Sequence, residues 1–370
     1  MPTQPSKVYF TDFRAAVGDS ILNKLKRLLL TAGFDGIDFN HKYTAIKLHF
    51  GEEGNLAFLR PNYAKVVADL VKERGGRPYL TDCNTLYVGR RKNALDHIEL
   101  AYENGYTPFS TGCQILIGDG LKGTDEARVP VPVGELCKEA LIGRAIMDAD
   151  VFISLTHFKG HECTGFGGAL KNIGMGCGSR AGKMDMHSNG KAVVKEEACI
   201  GCGACVEICA HDAPVIEDGV CHIDRDRCVG CGRCLARCPV DAIRPEQDCA
   251  NDLLDKRIAE YSWAVLNGRP HFHISIVRDI SPNCDCHGEN DAPIVPDVGM
   301  FASFDPVALD VACADAVNAM EPLKNSLLGE ANRIHHDHFT DVAPTTDWRV
   351  CTAHAECIGL GSQKYELIKM

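Results

Sequence analysis

The stretch from Cys199 to Pro239, CIGCGACVEICAHDAPVIEDGVCHIDRDRCVGCGRCLARCP, carries one cysteine pattern twice. Cys199, Cys202, Cys205 and Cys209 are followed by Cys228, Cys231, Cys234 and Cys238, each 29 positions after its counterpart. Both sets read C-x2-C-x2-C-x3-C, a run that binds two [4Fe–4S] clusters with the fourth cysteine of each run serving the other cluster. The spacing assigns Cys199, Cys202, Cys205 and Cys238 to one cluster and Cys228, Cys231, Cys234 and Cys209 to the second. Three thiolates on a tight loop reach three irons of one cubane, and the fourth is expected to start a helix that crosses to the twin. Gly201, Gly203, Gly230 and Gly232 supply the backbone freedom such loops need. Pro239 follows Cys238, whereas Ala210 follows Cys209; the difference softens one turn and leaves ligation untouched. Paired zinc ribbons also use C-x2-C, but as two separated pairs per ion, not as a triplet with a fourth cysteine at fixed offset.

Outward from this repeat, the spacing predicts a small α+β insert of bacterial ferredoxin type over residues 191–245. Val206, Ile208, Val215, Ile216, Val229, Leu235, Val240 and Ile243 would form its apolar shell, excluding water from the clusters. Lys195 to Arg244 hold nine acids and six bases, which suits a redox partner protein with a basic docking patch. The whole chain has 370 residues, 45% of them hydrophobic, a formal charge of −11 and 20 cysteines. That acidity argues against nucleic-acid binding, which needs a basic face. No run of eighteen apolar residues suggests a membrane span, and no export signal is evident at Met1 to Phe10. A cytoplasmic protein is expected, whose many cysteines serve metal or redox chemistry.

On either side of the insert, short apolar runs alternate with stretches of helical period, the pattern of an α/β host domain with a largely parallel sheet. Strands are predicted at Lys7–Phe10, Ala45–Phe50, Pro78–Thr81, Gln114–Ile117, Val151–Leu155 and His271–Val277. Helices are predicted at Ser20–Ala32, Tyr63–Arg74, Arg91–Asn104, Glu135–Ala149, Asn251–Leu266 and Pro306–Met320, the last capped by Asp305. Segment 246–370 is too poor in elements to stand alone. It is expected to complete the host domain begun by residues 1–190, with the insert emerging from a surface connection.

Two segments, LTHFKGHECTGFGGALKNIGMGCGSRAGKMDMHS from Leu155 to Ser188 and CDCHGENDAPIVPDVGMFASFDPVALD from Cys284 to Asp310, resemble the bacterial and archaeal family known as domain of unknown function 362. Many of its members carry a two-cluster ferredoxin insert between those segments. The resemblance implies an iron–sulfur protein with an α/β host domain and names no reaction.

The Leu155 to Ser188 segment follows a predicted strand, so it should lie at the carboxyl end of the sheet, where open α/β folds bind ligands. Lys159, His161, Lys171 and His187 are its candidate catalytic residues. Gly165, Gly167, Gly168 and Lys183 are candidates for holding a small anionic ligand or a flavin through backbone N–H groups and charge. The glycine spacing is neither that of a Walker A loop nor G-x-G-x-x-G, and the plainer reading is a loop that packs the insert on the host. Lys47 and His49, at the end of another strand, could share the site, with Glu52 or Glu53 as a carboxylate for acid–base work. Cys284 and Cys286, with Asp285 and His287 beside them, form a candidate third metal site, to be completed by Cys177 or His161; reduced, unligated thiols are the alternative. His335, His336, Asp337 and His338 read as an exposed loop. Cys83, Cys113, Cys137, Cys313, Cys351 and Cys357 read as small apolar residues or free thiols. Three functions follow in order: an iron–sulfur electron-transfer protein, a ferredoxin-coupled oxidoreductase, and a non-redox lyase or isomerase with structural clusters.

Overall fold

The computed structural model describes residues 4–86, 89–188, 192–246 and 250–370. Its centre is an eight-stranded sheet in the order Tyr365–Lys369, Ser6–Thr11, Gly299–Ser303, His271–Val277, Val151–His157, Tyr43–Lys47, Arg77–Thr81 and Gln114–Ile115. Every neighbouring pair is parallel except the two made by Gly299–Ser303, which runs against both its neighbours. The fold is thus mixed α/β with a mostly parallel sheet, as the alternating pattern predicts. Residues on both sides of the cysteine-rich segment contribute, because His271–Val277 pairs with Val151–His157 at the sheet's middle.

Helices cover both faces, so the central strands are buried throughout and read as nearly continuous apolar runs. Alternation splits them: Ile46, Ile153, Leu155 and Ile274 join Leu25, Leu28, Val67 and Val71 from the Ile21–Thr31 and Pro61–Glu73 helices. Ala45 and Phe152 point the other way, into a core with Ile173, Ile258 and Leu309 from the Ala169–Cys177, Asn251–Leu266 and Pro306–Asn318 helices. Asp305 caps the last of these, accepting from Val307 N at 2.9 Å and Ala308 N at 3.0 Å.

The helix predicted at Glu135–Ala149 does not form. Residues Glu139–Gly143 are a strand paired antiparallel with Glu126–Pro130, followed by a short helix at Arg144–Met147. Ala140 and Ile142 are buried while Glu139 is exposed, so period two wins over period 3.6. Glu260, on the Asn251–Leu266 helix, holds the turn before that strand by accepting N–H bonds from Glu135, Leu136 and Cys137 at 2.7, 3.0 and 2.6 Å. Also without a counterpart in the predicted strands are the antiparallel Gly299–Ser303, the edge strand Tyr365–Lys369, and both arms of a tight hairpin, Lys159–His161 and Gly165–Gly167.

The cysteine-rich segment repeats its sequence period in its structure. Short helices at Ala204–Ile208 and Arg233–Arg237 begin after Gly203 and Gly232 and pack on each other. Strand Ala192–Val194 pairs with Ile243–Pro245, and Pro214–Glu217 pairs with Val220–Ile223, so each repeat's first strand meets the other repeat's last. Gly201, Gly203, Gly230 and Gly232 all have positive φ, 62°, 75°, 71° and 67°. Each fourth cysteine, Cys209 or Cys238, ends its short helix, where the sequence reading had it start one. The reason is length: x3 is just one helical turn between the third and fourth cysteine. The expected junction at residues 190 and 191 lies outside the described residues.

Glu260 also meets His354 Nε2 at 2.9 Å. Burial pushes its carboxyl up, but the His354 contact and the three backbone bonds outweigh it and hold the group at about 2. An unfolded glutamate titrates near pH 4.3, so its stabilisation is present above that pH and is lost as pH falls through the folded value. We expect the Glu260→Gln protein to unfold at lower urea concentration than the wild type at neutral pH, and the gap to close as the medium is acidified below about pH 4.

Candidate functional site

The carboxyl ends of Tyr43–Lys47, Arg77–Thr81, Val151–His157 and His271–Val277 open into one cleft, with Lys47, His49, Asp82, His157, Cys284 and Cys286 in its walls. The Lys159–His161 arm folds over it and the Ala169–Cys177 and Arg180–Ser188 helices close the side, bringing Lys171, Asn172, Lys183 and His187. Lys159, His161, Lys171, Lys183 and His187, expected from the sequence to share a site, all line this cleft, together with Lys47, His49, Gly167 and Gly168.

Asp285 organises the cleft floor. Its side chain has no solvent exposure; Oδ1 is 2.8 Å from Lys159 Nζ and Oδ2 is 3.0 Å from His157 Nδ1, with His49 Nδ1 at 3.9 Å. Burial pushes its carboxyl up, but Lys159, His49 and His157 outweigh that and keep it well below the usual carboxylate range. His157 Nε2 donates to Arg278 O at 2.8 Å, which fixes the ring. A second buried pair, Lys47 Nζ and Asp82 Oδ1 at 2.9 Å, is steadied by Asn172 Oδ1 at 2.8 Å from the same ammonium. The Nε2 of His49 is buried and has no hydrogen-bond partner among the described residues.

Cys284, Cys286 and one ring nitrogen of His161 lie within 4.8 Å of one another, a spacing at which such groups could hold a metal ion. Lys171 Nζ is 3.2 Å from Cys284 Sγ and 3.9 Å from Cys286 Sγ. A hydrogen bond from the Cys284 thiol lowers the Cys286 thiol to about 7, against the effect of burial and with help from the Lys171 charge. Burial and Cys286 push Cys284 the other way, well above the usual thiol range. Burial also drives the His161 ring down to about 4 and the His187 ring to about 3, the Lys171 charge adding to both.

Several expected roles fall elsewhere. Cys177 does not join Cys284 and Cys286; it ends its helix buried, its carbonyl 3.4 Å from Cys83 Sγ. The N–H groups that open the Ala169–Cys177 helix are already taken by Asp310, at 2.6 Å from Ala169 N and 2.9 Å from Leu170 N. A Cβ on Gly168 would lie 2.4 Å from that side chain, so Gly168 admits an internal carboxyl group, which burial pushes up to about 7. Gly165, with φ of 73°, packs on Trp348, away from the cleft walls. Glu52 is tied to Arg91 Nε at 2.8 Å; Glu162 lines the cleft beside the thiols, and Asp285 lies buried between them in sequence. Glu162, which accepts from His287 Nε2 at 2.9 Å, carries no sequence signal of its own. Asp337 caps a helix, accepting from Phe339 N and Thr340 N, and binds Trp348 Nε1 at 3.0 Å, so that histidine-rich run is structural.

The cysteine repeat stands against the other side of the Arg180–Ser188 helix. A Cβ on Gly232 would lie 2.8 Å from Arg180 Cγ, and Leu235, Cys205 and Ile243 share a small core with Met184 and Leu86. Leu86 also lines the cleft. Lys92 pairs with Asp241, and Arg180 Nη2 donates to Lys92 O. Within the repeat, Cys221 N donates to Cys199 Sγ at 3.3 Å and Ala242 N to Cys238 Sγ at 3.2 Å.

A family model described as Domain of unknown function (DUF362) matches residues 44–315. No curated protein matches the chain. Among solved structures, the lactate racemase apoprotein from Thermoanaerobacterium thermosaccharolyticum is similar with a TM-score of 0.45 at 11% identity, over 85% of this chain and 58% of that one. A protein from Thermotoga maritima gives 0.36 at 13% identity, over 69% of this chain and 49% of that one. The chain thus spans about half the length of these structures. Likeness at this level says nothing about chemistry.

Removing one partner of a buried ion pair leaves an uncompensated charge, which costs about 3–5 kcal/mol. Asp285→Ala should destabilise the protein by about that amount in urea unfolding, and the double variant Asp285→Ala with Lys159→Met should lose less than the single one.

Proposed function

The chain belongs to the DUF362 family, and we propose that this member is an iron–sulfur redox protein whose eight repeat cysteines hold two [4Fe–4S] clusters. When bound, the clusters supply one-electron steps between an external carrier and the host cleft. The carrying observation is the doubled arrangement of residues 192–245. Two loops of matching backbone conformation, each with three cysteines and two left-handed glycines, are joined by strands that pair across the repeats. The donor chemistry supports it: the spacing divides eight thiols into two sets of four, and backbone N–H groups are directed at the Cys199 and Cys238 sulfurs. Such N–H bonds to ligand sulfur help set a cluster's potential. A single structural ion would need only one of the two sets.

The placement supports a relay over a mere brace. One helix, Arg180–Ser188, separates the second cysteine loop from the cleft, a thickness of about 10 Å. Arg180 is buried at the loop, close enough to Cys231 and Cys234 to feel their charge, and its Nε and Nη1 have no hydrogen-bond partner among the described residues. Lys183 and His187, one and two turns on, face the cleft. The cleft's lysines suit an anionic ligand. No helix among the described residues is long and apolar enough to cross a membrane, and the partner that feeds this relay would be a redox protein docking on the insert.

Anaerobically purified protein should contain about eight irons and eight sulfides per chain. Cys202→Ser should lose about half of that iron, whereas Cys351→Ser, which alters a buried thiol of the host core, should keep all of it. Equal iron loss in the two variants, or zinc in place of iron in the wild type, would overturn the assignment.

A further inference from the structure

Cys284 and Cys286 lie among groups that favour a thiolate on one sulfur and a thiol on the other. Lys171 presents its ammonium to both sulfurs, at 3.2 and 3.9 Å, while the Cys284 thiol donates to Asp285 Oδ1 at 3.5 Å, a carboxylate that disfavours a second thiolate. His161 decides between a metal and a bare thiolate. Its Nδ1 accepts N–H bonds from Cys163 at 3.1 Å and Thr164 at 3.3 Å, so the lone pair on that nitrogen is engaged and the ring proton sits on Nε2. The neutral ring then offers its surroundings an N–H and no free lone pair, and a metal ion needs the lone pair. An N–H donor, an ammonium and a neighbouring thiol are what a thiolate needs.

The two cysteines are unequal. Cys284 is 1% exposed, whereas Cys286 is partly accessible. An accessible sulfur backed by a buried one is the arrangement of an attacking and a resolving thiol. Charge selects what they attack. Lys47, Lys159 and Arg91 are matched by Asp82, Asp285 and Glu52, and Glu162 by His287. Among the described residues, Lys171 and Lys183 have no carboxylate within ion-pair distance; the Cys286 thiolate balances Lys171, which leaves the Lys183 charge to draw an anion into the cleft.

We propose that Cys284 and Cys286 are a redox dithiol that reduces a small anionic disulfide, with Cys286 attacking and Cys284 resolving. The proposal rests on the electron-relay reading, because the pair must be returned to the dithiol. The Cys286 thiolate forms a bond to one substrate sulfur as the substrate S–S bond breaks, releasing one thiolate. Cys284 then bonds to Cys286 as the mixed disulfide breaks, and its proton leaves with the second substrate thiol. Two electrons from an external one-electron donor, arriving singly through the insert, and one proton restore the Cys286 thiolate and the Cys284 thiol.

The test uses the full chain, purified without oxygen and with its iron counted. It is exposed to glutathione disulfide, quenched in acid, alkylated and mapped by mass spectrometry. The expected result is a peptide in which Cys284 and Cys286 escape alkylation and which is lighter by two hydrogens. Adding methyl viologen radical should make both cysteines alkylatable again, and in the Cys202→Ser chain that restoration should be lost while oxidation by glutathione disulfide persists. Full alkylation of both cysteines after glutathione disulfide would overturn the proposal. So would a zinc ion retained by the wild type and released in Cys286→Ser. Low iron in a wild-type chain whose Cys284 and Cys286 still oxidise would instead sink the relay on which the proposal rests.

Discussion

The carboxylate of Asp285 is a negative charge without contact with water, and such a charge persists only where cations and donors reach it from several sides. Those partners come from separate parts of the chain: His157 ends the central strand, Lys159 begins the hairpin beyond it, and His49 follows a neighbouring strand. Satisfying that one carboxylate therefore brings the loop after His271–Val277 onto the carboxyl end of the sheet. Cys284 and Cys286 flank Asp285 in sequence, so the ion pair that closes the cleft floor also fixes where their sulfurs stand. The loop's position is electrostatic in origin, and the thiols inherit it.

The Arg180–Ser188 helix extends this organisation to the cysteine repeat. Gly232 has no side chain where Arg180 passes, which lets the second loop lie directly on the helix. From Arg180 to Lys183 and His187 the same helix changes neighbours, from cysteine sulfur to the cleft. Sulfur-rich loop and lysine-rich cleft are two faces of one thin wall, to which Leu86 also contributes.

Much of this arrangement was legible in the residues. The cysteine period and its glycines describe a local loop whose chemistry depends on spacing alone, and the positive φ at all four glycines follows from it. Apolar runs such as Val151–His157 announce buried strands because parallel strands have no polar face. Long-range pairings were not legible. Glu135–Ala149 has enough helical period to mislead, and the carboxylate that holds its start as a turn, Glu260, lies more than a hundred residues away. Asp310 occupying the helix start behind Gly168 is hidden for the same reason, and the Gly-rich sequence there resembles an anion cradle because its N–H groups do bind a carboxyl group, supplied from within. The lysines and histidines of the Leu155 to Ser188 segment could be grouped from the sequence because a single strand end delivers them. Glu162 and the tautomer of His161 depend on a three-residue turn that no periodicity encodes.

The antiparallel pairing of Ala192–Val194 with Ile243–Pro245 ties the two ends of the inserted segment side by side. To the rest of the chain, a folded insert is then equivalent to a short hairpin, and the entropy of closing the long loop between Val151–His157 and His271–Val277 is lowered accordingly. Metal ligands that are scattered in an unfolded chain make binding and ordering one event. On the proposed reading of the repeat, loading of iron would in this way hasten maturation of the central sheet, so that cells short of iron or sulfide would accumulate a slow-folding host.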